Sequence, residues 1–167
     1  MKKTILVAIA LTAIGSTATA MRHAQAQKPD AAKPPTVLFM CPHGAAKSVL
    51  ASAYFKQLAL ERGLNVRVLS AGTEPDAQVA PSVAAHLKAQ GYALPITTPR
   101  RVTREDMQTA DVVISIGCDV KDLPPPHGRL VQWDDVPAPS EDFAAADKRI
   151  RERVIELIDE IVRKQAK

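Results

Sequence analysis

A thiol, an imidazole, an ammonium and a hydroxyl fall within eight residues at Cys41-Pro42-His43-Gly44-Ala45-Ala46-Lys47-Ser48. Cys41 closes an apolar run that starts at Val37, and helix-like spacing of apolar residues begins at Ser48. Strand, glycine-containing loop and helix N-terminus in that order present backbone N–H groups and the positive end of a helix dipole to an anion. The same field favours thiolate over thiol, which makes Cys41 the candidate nucleophile. Pro42, His43, Gly44, Ala45, Ala46 and Lys47 form the candidate anion-binding loop, with Lys47 contributing its charge.

The elements that must position this loop are legible from periodicity. Residues 37–40 suit a central parallel strand buried on both faces. Across residues 48–62, Val49, Leu50, Ala53, Tyr54 and Leu58 follow helical spacing, and Gly63 ends the helix. A second strand is predicted over 66–69, with Ser70-Ala71-Gly72-Thr73 turning the chain. Helices are predicted over 81–90, with Pro81 early and Gly91 just beyond, and over 103–109, capped by Thr103 with Asp106 three residues later. Residues 111–117 and 129–133 read as the third and fourth strands, separated by a stretch that Pro124, Pro125 and Pro126 keep irregular. Ser140 is the expected N-cap of a long terminal helix. Phe143, Ile150, Val154, Leu157, Ile158, Ile161 and Val162 mark its buried stripe, and Arg149, Arg151, Arg153 and Arg163 its solvated face.

Strands alternating with helices predict an α/β fold: a doubly wound, four-stranded parallel sheet with helices on both faces. In such sheets ligands bind outside the carboxyl ends of the strands. Cys41, residues 70–73, Cys118 and the loop after Trp133 all fall at that edge.

Composition narrows the function classes. Lys2-Lys3, the apolar run from Ile5 to Ile14 and the small-residue pattern Ala18-Thr19-Ala20 predict a signal peptide over 1–20, with Ala24-Gln25-Ala26 as the alternative cleavage site after 26. Residues 21–35 read as a polar, Pro- and Ala-rich disordered lead-in, and 36–167 as the folded domain. An exported protein, periplasmic or secreted, follows, with no stable membrane anchor after cleavage. The 167-residue chain carries 22 basic and 18 acidic residues, and cleavage after Ala20 removes Lys2 and Lys3 and no acid, leaving 20 against 18. With that near balance and only one Trp, two Tyr and three Phe, nothing suggests a nucleic-acid surface. His86 and His127 lack metal-ligand spacing, so no metal site is expected. Cys41 and Cys118 are the two cysteines. A disulfide between them, a redox pair and two independent thiols all fit an even pair in an oxidising compartment.

The loop resembles the C-x5-R-[ST] phosphate loop of low-molecular-weight protein tyrosine phosphatases and the related arsenate reductases, most of all the arsenate-reductase branch. The likeness continues in order through SAGTEP (70–75), DVVISIGC (111–118) and a Trp-then-Pro loop (133–139), and so covers nearly all of the chain after the lead-in. It implies Cys41 as the nucleophile attacking phosphorus or arsenic, Ser48 as the hydroxyl stabilising its thiolate, and a small oxyanion or phosphoester as substrate. It implies no cofactor, beyond an external thiol reductant if arsenate is reduced. Gly44 stands where the family usually has Asn, and both residues tolerate positive φ.

Two departures weaken the expected chemistry. Lys47 replaces the family's Arg, giving a point charge where a bidentate fork is usual. Ala138-Pro139 replaces the late-loop Asp-Pro that supplies the general acid, a role typically worth about 10²–10⁴-fold. Asp135, with Asp134 beside it, is the nearest substitute acid. Cys118 falls roughly where arsenate reductases carry a second redox thiol. Three functions therefore stand open: a Cys-dependent enzyme on an oxyanion or phosphoester, an inactive relative that binds an oxyanion or phosphorylated partner, and a thiol-redox protein using Cys41 and Cys118.

Overall fold

The computed structural model describes residues 33–165. The expected signal peptide and most of the lead-in lie outside them. In chain order the elements are β1 (Thr36–Cys41), α1 (Lys47–Glu61), β2 (Arg67–Gly72), α2 (Pro81–Ala89), α3 (Arg104–Thr109), β3 (Val112–Ser115), β4 (Arg129–Gln132) and α4 (Phe143–Gln165). The four strands form one sheet in the order β2-β1-β3-β4, and each neighbouring pair is parallel. The predicted doubly wound α/β fold is the observed one.

Alternation along the strands builds two cores. Val37, Phe39, Cys41, Ile114 and Ile116 join the buried residues of α1, α2 and α4 on one face. Leu38, Met40 and Val113 pack with Met107 of α3, Val102, Ala110 and Cys118 on the other. Residues 48–55 of α1 are all buried, because the helix lies between the sheet and α4 rather than presenting one face to water. Phe39 anchors the first core through tilted ring contacts with Phe55 and Trp133, at centroid distances of 5.4 and 5.9 Å.

Three local expectations change. β2 runs on through Ser70, Ala71 and Gly72, which pair with Phe39, Met40 and Cys41, so the expected turn is strand up to Gly72. The cap of α4 is Asp142 rather than Ser140. The Ala138 carbonyl accepts the N–H groups of Glu141 and Asp142 at 3.0 and 3.1 Å, and that turn delays the helix. Asp142 Oδ1 then accepts the Ala145 N–H at 2.9 Å. Finally, Arg151 does not belong to a solvated face. Its guanidinium lies 3.9 Å from the Tyr54 ring centroid and donates to Asp147, Tyr92 and Tyr54, tying α4 to α1 and to Tyr92 beyond α2. Val162, expected in the buried stripe, is exposed. The predicted capping box of α3 is present, with Thr103 and Asp106 exchanging side-chain-to-backbone bonds.

Candidate active site

β1 delivers Cys41 to the carboxyl edge of the sheet between β2 and β3, where the strand order reverses. Cys41 is 2% exposed, and its sulfur faces Ser48 in the first turn of α1. Its thiol donates to Ser48 Oγ at 3.3 Å, and the Ser48 backbone N–H points to Sγ at 3.5 Å. Once the thiol ionises, Ser48 can reverse its hydroxyl and donate, so the thiolate has two donors and a helix N-terminus around it.

The loop between is held open from outside. The carbonyls of Cys41, Pro42, His43 and Ala45 accept the N–H groups of Thr73, Glu74, Asp76 and Ala80, at 3.4, 2.8, 3.0 and 3.0 Å. With the carbonyls turned toward residues 73–80, the N–H groups of His43, Gly44, Ala45, Ala46 and Lys47 have no acceptor among the described residues. A row of unpaired donors beside a sulfur is a cradle for a tetrahedral oxyanion. Gly44 takes φ 60°, and a Cβ there would stand 2.8 Å from the backbone nitrogen of Gly72. The approach is reciprocal: a Cβ on Gly72 would stand 2.6 Å from the Gly44 nitrogen and 2.8 Å from the His43 carbonyl carbon. Two bare backbones in contact explain the glycine in the SAGTEP segment.

A cavity of about 380 Å³ opens over this loop. Cys41, Pro42, His43, Ala45, Ala46 and Lys47 form one side, and Asp76, Ala80, Ser82, Val83, Ala138, Pro139 and Ser140 complete it. Lys47 also reaches the turn after β3: a Cβ on Gly117 would stand 2.8 Å from its Nζ. Gly44 braces the floor instead of lining it.

Asp135, Asp134 and Cys118 do not line the cavity. Asp135 turns to α4, where its carboxylate takes bonds from Arg149 and from Arg153 at 2.8 Å. The hydrogen bond from Arg153, aided by Arg149, holds that carboxyl below the usual range. In this arrangement its carboxylate faces α4 and does not line the cavity. Asp134 is exposed and does not line the cavity. Cys118 is a free, buried thiol, as is Cys41. Burial pushes the Cys118 thiol up to about 11, and Cys41 adds to that rise while Lys47 and Ser115 oppose it. Sequence reasoning missed Asp76, Ser82 and Val83. Asp76 directly follows the SAGTEP segment, and that position was the signal to weigh.

Comparison with known proteins agrees with this geometry. The model of the family described as low molecular weight phosphotyrosine protein phosphatase matches residues 36–167. A Halobacterium salinarum protein named "Putative arsenate reductase" is 28% identical over 127 residues, 73% of this chain and 89% of that one. The thioredoxin-dependent arsenate reductase of Corynebacterium glutamicum is 29% identical, with a TM-score of 0.68 over 80% of this chain and 65% of that one. A low-molecular-weight phosphotyrosine phosphatase of Vibrio cholerae shares the fold at a TM-score of 0.70 and 21% identity, over 78% of this chain and 98% of that one. A Cys41 loop cradled at the head of a helix, at the switch point of a four-stranded parallel sheet, and a family match spanning the whole described fold lead to one assignment: the chain belongs to the low-molecular-weight phosphotyrosine protein phosphatase family.

Proposed function

We propose that the protein is an exported, Cys41-dependent enzyme that binds a phosphate-type oxyanion in the 41–48 loop and forms a covalent bond from sulfur to it. The observation that carries this reading is the pairing of Cys41 Sγ with Ser48, at 3.3 and 3.5 Å, beneath five unpaired loop N–H groups. Nucleophile, cradle and cation are all supplied by this chain, and the reaction calls for no metal or organic cofactor. The phosphoester form of the reaction puts phosphoryl on Cys41 and releases it to water. The arsenate form ends in reduction and takes its electrons from an external thiol, a reading that the named relatives favour.

Turnover is slow in this reading. Lys47 holds an oxyanion as a point charge, and the late loop brings Ala138 where an acid is expected. That alkyl wall is also what favours the second reading, a relative that binds an oxyanion or a phosphorylated partner without turning it over. A redox function for Cys41 and Cys118 is supported less, since burial keeps Cys118 protonated well above neutral pH. Export rests on Lys2-Lys3, the following apolar run and the small-residue pattern.

One assay separates the readings: purified protein and Cys41→Ser with p-nitrophenyl phosphate, and with arsenate plus thiol. The expected result is turnover that the variant lacks in at least one assay. Wild-type rates equal to those of Cys41→Ser in both, with phosphate still bound, would replace the enzyme with the binding protein.

A further inference from the structure

The late-loop wall of the cavity, Ala138, Pro139 and Ser140, carries no carboxyl group. Attack by Cys41 from the floor of the cavity drives the leaving oxygen in line, toward the mouth. An oxygen leaving as an alkoxide or phenoxide needs a proton there, so the donor must stand at the mouth. Four lining residues carry ordinary titratable groups: Cys41, His43, Lys47 and Asp76. Cys41 is the nucleophile, and Lys47 is the charge for the anion. Ser82 and Ser140 carry only weakly acidic hydroxyls. His43 and Asp76 remain, and they meet: His43 Nδ1 lies 3.3 Å from Asp76 Oδ1.

The two residues are joined twice, because the Asp76 N–H also donates to the His43 carbonyl at 3.0 Å. Glu74 bonds Pro42 in the same way at 2.8 Å, so the segment bearing Asp76 is fastened along the loop bearing His43. Both side chains are more than half exposed, whereas Cys41 is 2% exposed. The pair is therefore open to solvent and the nucleophile is not, which suits a donor to an oxygen that leaves toward the mouth. A carboxylate beside Nδ1 favours a proton on that nitrogen and leaves Nε2 for the substrate.

We propose that His43 is the general acid and base of this site, a catalytic residue, and that Asp76 is its positioning residue. The proposal rests on the enzyme reading above. In the first step the Cys41 thiolate forms the S–P bond, the P–O bond of the ester breaks, and the imidazolium of His43 gives its Nε2 proton to the departing oxygen. An alcohol or phenol leaves, and His43 is neutral. In the second step water attacks phosphorus, neutral His43 takes its proton, the S–P bond breaks, and the thiolate and inorganic phosphate are released. Each turnover restores the imidazolium.

The test compares two phosphate esters whose leaving groups differ in their need for a proton. p-Nitrophenolate departs readily without one, and phenolate does not. The quantity measured is the ratio of kcat/KM for phenyl phosphate to kcat/KM for p-nitrophenyl phosphate, in the wild type, His43→Asn, Asp76→Asn and Cys41→Ser. His43→Asn is expected to lower the ratio by about 10²-fold, and Asp76→Asn to lower it in the same direction by about 10-fold. A purely structural role moves both esters together and leaves the ratio alone. A wild type that cleaves both esters, with a ratio unchanged in His43→Asn, overturns the proposal and leaves the phosphatase reading standing. A wild type no faster than Cys41→Ser on either ester overturns both.

Discussion

The two sides of the cavity are built on opposite plans. On the side of residues 41–48, four carbonyls are bonded outward and two glycines touch backbone to backbone, leaving the N–H groups little freedom except to face an anion. On the side of residues 133–142, the acids point elsewhere. Asp135 is held by Arg149 and Arg153, Asp142 caps α4, and the cavity receives Ala138, Pro139 and Ser140. The difference teaches that the backbone cradle and the side chains set over it are separable parts of this fold. The first depends on backbone geometry fixed by close packing. The second depends on which side chains a loop presents.

The sharpest way to test that contrast is to rebuild the late-loop wall. Lys47→Arg with Ala138→Asp supplies a bidentate cation and a carboxylic acid, and is expected to raise phosphate-ester turnover by about 10²-fold, most for poor leaving groups. Steady-state rates against the wild type measure it, and no gain would mean that Lys47 and Ala138 are not what limits turnover. On the other side, Gly72→Ala drives a methyl group into the backbone of Gly44 and His43. Neither is a flexible side-chain end, so a loss of roughly 1–3 kcal/mol and weakened phosphate binding are expected. Denaturant unfolding with and without phosphate reads both, and a variant as stable and as tight-binding as the wild type would show that the loop is not braced there.

The smallest effect belongs to Asp135→Asn. Its ion pairs with two arginines lie at the surface, so a cost below about 1 kcal/mol and a rate within about twofold of the wild type are expected. The sign of the pH dependence is set by its lowered pKa. Its contribution is present above the ordinary carboxylate pKa, falls away as pH drops through the lower folded value, and makes wild type and variant converge in acid. A much larger loss of turnover would return Asp135 to the active site and cancel the contrast between the walls.

Much of this molecule is readable one element at a time. Apolar runs located β1, β3 and β4, and 3–4 spacing located α1. Thr103 and Asp106 announced the cap of α3. Residues within a few positions of each other settle such features, since a cap or an amphipathic face is local physics. The loop from Cys41 to Ser48 was legible for the same reason: all its chemistry is contained in eight consecutive residues. The late loop was not. Its order of acids invites Asp135 as a donor, and nothing in residues 133–140 reveals that Arg149 and Arg153, a turn apart on α4, capture it first.

Residue order alone thus determined the succession of strands and helices, the candidate nucleophile, its Ser48 partner, and the two residues, Lys47 and Ala138, that depart from the loop pattern it resembles. Tertiary structure decided which side chains meet beside the loop. His43 and Asp76 lie 33 positions apart, and they meet because β2 pairs with β1 in a register that sets Gly72 beside Cys41. The same pairing presses Gly72 onto Gly44 and hands the loop carbonyls their donors. Register between strands is a property of the packed sheet, set by which faces bury against α1, α3 and α4, so no local pattern in the chain could have announced it.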